Sequence, residues 1–196
     1  MSEQLEDVAW DDYYEAVTGR EPRDFVVEAA TAFDGPGRAI DLGCGDGTET
    51  RYLLEDGWLV LAVDGQASAI RRTIARAGAL GDRLSTRVQG FEDLGELPEA
   101  DLVVAPFTLP FCPPDAFAAM WETVTASVAP DGRIAANFFG PNDTWFGSPG
   151  MTFLERSQVE GLFAEFEVES FEEVDDEGGA ASGPKHWHVF TVRARR

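Results

Sequence analysis

Three glycines at alternate positions, Gly43, Gly45 and Gly47, follow an acid at Asp41 in the stretch Asp41-Leu42-Gly43-Cys44-Gly45-Asp46-Gly47-Thr48. A bend of this kind lets the backbone turn sharply and lie close to a ligand, where a Cβ would stand in the way. Set between a strand and a helix, it offers backbone N–H groups to a nucleotide-like molecule. A second acid, Asp64, comes 19 residues after Gly45 and ends the apolar run Trp58-Leu59-Val60-Leu61-Ala62-Val63. A carboxylate there can accept hydrogen bonds from both hydroxyls of a ribose. A dinucleotide fingerprint asks for Gly-x-Gly-x-x-Gly. In this chain the third glycine comes one residue early and Thr48 stands in its place, which opposes a dinucleotide.

The elements that must hold these residues alternate. Apolar runs at residues 38–42, 58–63, 84–88, 101–105 and 133–139 read as strands, and such continuous runs suit strands buried on both faces. Between them, residues 48–56, 67–79 and 113–128 read as helices, the last opened by Pro113-Pro114. A helix over 154–163 follows. Two final strands, 166–174 and 186–193, are expected on either side of an acidic, glycine-rich loop at 175–184. Two further helices, 7–17 and 21–33, precede the first strand. Alternation of this kind predicts a doubly wound α/β sheet, and the terminal hairpin makes its last strand antiparallel. One domain suits a chain of 196 residues.

The string Asp-Leu-Gly-Cys-Gly-Asp-Gly resembles the first motif of the class I S-adenosylmethionine (SAM)-dependent methyltransferases. The segment Thr108-Leu109-Pro110-Phe111 is similar to the corresponding loop of the tellurite-resistance-type, small-molecule members. The resemblance implies a Rossmann-like, mostly parallel seven-stranded sheet of order 3-2-1-4-5-7-6. It also implies a core over residues 35–196 under a helical cap at 1–34. SAM is the implied cofactor. The implied cofactor-binding residues are Asp41, Gly43, Gly45, Gly47, Asp64 and Gly65, then Phe91 and Glu92 at the adenine, and Ala105 and Phe107 near the methyl group. Gly90 departs from the family pattern, in which an Asp often stands at that position.

A methyl acceptor that is a hydroxyl or amine needs a base, and the chain has two histidines, His186 and His188. Two apart on a strand, they share a face. They are the expected catalytic residues, with Trp187 turned away from the site. Tyr13, Tyr14, Phe111 and Trp145 are the expected apolar walls for the substrate.

Composition narrows the partners. There are 36 acids against 15 bases, a net charge of −21, and Lys185 is the one lysine. A GC-rich genome or a high-salt cytosol would each favour such a balance. Such a surface repels phosphate backbones and anionic lipid heads, so a nucleic-acid acceptor and a membrane partner are not expected. The acidic start lacks a signal-peptide apolar region, and two cysteines build no disulfide framework, so a cytoplasmic location is expected. Cys44, Cys112, His186 and His188 match no zinc spacing, and no metal is expected. The expected function is methyl transfer to a small molecule. An NAD(P)-dependent oxidoreductase and a non-catalytic SAM-binding regulator are the alternatives.

Overall fold

A computed structural model describes residues 10, 13–180 and 183–196. Of the helix expected over 7–17, residues 13–16 are helical, and much of the rest lies outside the described residues. The elements that follow are α1 (Asp24–Thr31), β1 (Arg38–Leu42), α2 (Thr48–Glu55), β2 (Leu59–Asp64), α3 (Ala67–Ala77), β3 (Leu84–Val88) and β4 (Ala100–Ala105). After them come α4 (Pro114–Ser127), β5 (Val128–Phe139), α5 (Arg156–Leu162), β6 (Glu167–Ala180) and β7 (Gly183–Arg195). The strands form one sheet of order β3-β2-β1-β4-β5-β7-β6. Pairing is parallel from β3 across to β5, and β7 runs antiparallel to both β5 and β6.

Burial explains the apolar runs. Ile40, Leu42, Val63, Val103 and Ile134 pack on one face of the sheet against α4 residues Phe117, Met120 and Val124. On the other face, Val60, Leu102, Val104 and Ala135 meet Val26, Leu53, Leu54 and Trp58. Burial on both faces leaves no place for the polar alternation of a half-exposed strand. The carboxyl ends of β1 and β4 therefore meet at the point where strand order reverses, the crevice in which such sheets bind ligands.

Two expectations change. Residues 129–132, between the helix expected to end at 128 and the strand expected from 133, belong to β5, whose pairing with β4 shifts register between Ala100 and Leu102. The expected loop at 175–184 is mostly strand, because β6 and β7 pair from Glu167↔Arg195 out to Ala180↔Gly183. Gly178 and Gly179 do not break the ladder. A Cβ at Gly178 would lie 2.8 Å from the Trp187 ring, and the Trp187 indole N–H donates to the Gly179 carbonyl at 3.2 Å. Glu167 stands opposite Arg195 and Glu177 opposite His186, and each pair is in contact; opposite charges across a pair support the register.

Candidate active site

The glycine turn closes on the end of β2. Gly43 and Cys44 both donate their N–H groups to the Val63 carbonyl, at 2.7 and 3.1 Å. A Cβ on Gly43 would lie 1.8 Å from Thr108 Oγ1, in a backbone conformation (φ +65) that side chains rarely adopt. The Asp64 carboxylate accepts the Gly45 N–H at 2.9 Å on one oxygen and the Gln66 N–H at 2.8 Å on the other. Burial raises its pKa, and these two backbone donors offset only part of the rise. Each oxygen keeps a lone pair for a further donor. Gly47 serves packing: a Cβ there would lie 2.8 Å from Thr73 Cα on α3.

Asp41 sits beneath the turn, fully buried. Thr50 donates its hydroxyl to Oδ2 at 2.6 Å, and Oδ1 is buried without a partner. Burial, with Glu49 adding to it, pushes the carboxyl up to about 7. A buried acid held that high is a strained feature at a functional end of the sheet.

A cavity of about 1230 Å³ opens over the turn. Among the expected residues, Gly43, Gly45, Asp64, Gly65, Phe91, Glu92 and Phe107 line it, as do Tyr13, Tyr14, Phe111 and Trp145. Asp41, Gly47 and Ala105 are not on its wall, and Ala105 is fully buried. Phe107 is a non-glycine residue at φ 55, and its N–H is held by Asn137 Oδ1 at 3.2 Å. Asn137 in turn donates to Thr191 at 2.7 Å. Strain of this sort persists where surrounding bonds over-determine it, and it clusters at functional sites.

The histidines do not reach the cavity, which corrects their expected placement. Trp187, Val189 and Thr191 of β7 line it instead. His188 has the opposite parity, shared with Phe190, Val192 and Ala194, which belong to the core under α4. Its ring packs against Phe190, with centroids 4.8 Å apart, and fills the space left open by Gly140. Asn142 donates its N–H to His188 Nδ1 at 3.1 Å, so the ring proton sits on Nε2, 3.0 Å from Glu173. His186 lies between Asp175 (2.6 Å) and Glu177 (3.2 Å), whose hydrogen bonds raise its pKa. Neither ring is placed to take a proton from a ligand in the cavity.

Three further cavity residues carried little signal in the sequence. Trp187 forms a wall with Trp145 and Phe139 (ring centroids 5.9 Å from each). Behind that wall, the Lys185 ammonium lies 3.5 Å from the Trp145 ring centroid and 3.8 Å from that of Trp187. It is paired with the buried Asp143 at 2.7 Å, and burial pushes its pKa down. Arg20 and Arg23 line the cavity from the segment before α1. Arg20 makes a two-pronged bond to Glu49, both contacts at 2.5 Å, which ties this segment to α2.

Comparison with known proteins agrees with this arrangement. Residues 40–134 match the model of a family described as a methyltransferase domain. No curated protein matches the sequence. Among solved structures, the fold is similar to that of TehB from Haemophilus influenzae, with TM-score 0.79 and 18% identity over 95% of this chain and 67% of that one. It is also similar to a magnesium protoporphyrin IX methyltransferase (ChlM) from Synechocystis PCC 6803 with bound SAM. That match has TM-score 0.71 and 15% identity, covering 96% of this chain and 91% of that one. A third is the 1,6-didemethyltoxoflavin-N1-methyltransferase of Burkholderia thailandensis, with TM-score 0.67 and 20% identity over 89% and 77% of the two chains. At these identities the likeness is one of fold. The glycine turn, the sheet order and the matched segment agree: residues 40–134 match the model of a methyltransferase domain, and the chain takes the fold of solved methyltransferases to which it is similar.

Proposed function

We propose that this chain transfers the methyl group of SAM to a small-molecule acceptor, with both molecules bound in the cavity over the glycine turn. The observation that carries the reading is the Asp64 carboxylate, fixed by two backbone N–H groups against Gly45 with a lone pair left on each oxygen. A ribose laid over Asp64 directs the adenine toward Gly65, Phe91 and Glu92. The methionine then runs along Gly43 and Gly45 to Phe107. Single ligand pockets run to roughly 300–1,000 Å³, so about 1230 Å³ leaves room for an acceptor beside the cofactor. Tyr13, Tyr14, Phe111 and Trp145 are its proposed walls, and residues 1–34 its proposed cap.

The sulfonium already makes the methyl group electrophilic. A lone pair on the acceptor forms the new bond to carbon, the S–CH₃ bond breaks, and its electron pair returns to sulfur as a neutral thioether. Holding the two reactants in line is most of the work. With His186 and His188 engaged elsewhere, the reading is of an acceptor that brings its own reactive lone pair. The charge of −21 disfavours a nucleic-acid acceptor. The two free, buried cysteines suit a reducing compartment, and the cytoplasm is the proposed location. Among the described residues no helix is long and apolar enough to cross a membrane.

Thermal-shift titration separates this from an oxidoreductase. S-adenosylhomocysteine (SAH) should raise the melting temperature and NADH should not. A shift with NADH alone would overturn the proposal.

A further inference from the structure

Arg23 is a cavity cation that no carboxylate claims. Among the described residues it makes no ion pair, and its Nε is buried without a hydrogen-bond partner. Its guanidinium carbon lies 4.5 Å from the Phe107 ring centroid. The nearby acids are spoken for: Glu49 holds Arg20 through both oxygens, and Asp46 pairs with Arg76 at 2.9 Å. Glu49 meets Arg23 only at its backbone N–H, at 3.3 Å. A buried polar group left unpaired is unfavourable, and more so a charged one. Among the described residues Arg38, Arg71, Arg83, Arg87 and Arg196 also make no ion pair, but none of these lines the cavity. Burial and the neighbouring Arg20 lower its pKa, and an arginine stays charged regardless.

Around Arg23 the wall is aromatic and built of edges. Phe107 meets Trp187 at 5.9 Å and Phe139 at 6.3 Å, with interplanar angles of 79° and 64°. The faces and edges that these rings turn to the cavity give an apolar aromatic surface on which a planar ring can pack edge-to-face or offset. The cavity therefore pairs a surface for flat apolar rings with one uncompensated positive charge. A guanidinium stacked on Phe107 keeps its N–H edge free, the geometry that takes an oxyanion in two parallel bonds.

We propose that the acceptor is a flat aromatic anion, its ring against the Phe107–Trp187 wall and its carboxylate or ionised oxygen on Arg23. This rests on the reading of the cavity as a methyl-transfer site. It also explains how a site without a histidine can work, because an acceptor that arrives ionised needs no proton removed. The competing use of Arg23 is as a partner for the carboxylate of the cofactor itself.

Calorimetry at fixed KCl decides between them. The SAH-loaded protein is titrated with 2-naphthoate, 2-naphthylmethanol and 2-naphthylmethylammonium, in the natural chain and in the Arg23→Gln and Arg23→Lys variants. The naphthoate is expected to bind at least tenfold tighter than the alcohol, and the ammonium weakest. Arg23→Gln should erase that preference and Arg23→Lys retain part of it, with SAH affinity changed less than twofold in both. Equal binding of the three probes, or no binding of naphthoate at millimolar concentration, would overturn the proposal. So would an Arg23→Gln variant that loses SAH affinity and keeps the naphthoate preference, which would give Arg23 to the cofactor. Naphthoate selectivity in a protein that ignores SAH would uphold the anion site and remove the methyl-donor reading.

Discussion

Asp64→Asn should lower the affinity for SAH by at least a hundredfold. Hydrogen bonds to a charged group are each worth about 1.5–3 kcal/mol, and a ribose laid over Asp64 makes two. The amide cannot replace the carboxylate, because one of its ends is an NH₂ donor. That end must face either the ribose or one of the two backbone N–H groups, Gly45 or Gln66, that now bond to the acid. Calorimetry with SAH reads the affinity, and a urea titration shows how much of the loss comes from a disturbed turn. An unchanged affinity would remove Asp64 from the site.

The second large effect is on stability and depends on pH. Asp41 is held in the folded chain at about 7 from an ordinary 3.8. Between those values the native state keeps a proton that the unfolded chain has released, so stability falls as pH rises through that window. About 3 pH units at 1.36 kcal/mol each give roughly 4 kcal/mol, all of it lost above pH 7 and none below pH 4. Asp41→Asn has no proton to lose and keeps an acceptor for Thr50. Relative to the natural chain, the variant should be about 4 kcal/mol more stable at pH 8 than it is near pH 4. Urea unfolding at the two pH values measures this difference. Contributions from the many surface acids cancel in the comparison, because they are common to both proteins. Parallel pH profiles would mean that Asp41 is ordinary.

Much of the architecture was legible because apolar runs and glycine punctuation carry the parallel half of such a sheet. The runs ending at Leu42, Asp64 and Ala105 mark the strand ends that meet at the cavity. The hairpin was less legible. Asp175, Asp176, Glu177, Gly178 and Gly179 read as a loop in isolation, and become strand because Lys185, His186 and Trp187 lie across from them. The histidines show what alternation can and cannot say. Spacing by two puts His186 and His188 on one face, and it leaves open which face that is. The continuation Phe190, Val192 and Ala194 joins the core under α4, and that fixes His188 on the same side. Arg20 and Arg23, in a short segment around Pro22, had no pattern to mark them. Their role appears only when α1 and α2 bring that segment over the turn.

Methyl transfer itself is the most direct test. The purified chain is incubated with methyl-labelled SAM and a library of aromatic carboxylates, ionisable phenols and their neutral counterparts, and both labelled product and SAH are measured. Label is expected in at least one anionic acceptor, with SAH formed in equal amount and both abolished in Asp64→Asn. If the natural chain binds SAH yet labels no member of the library and forms no SAH above background, the protein holds the cofactor without using it, and the catalytic account is wrong.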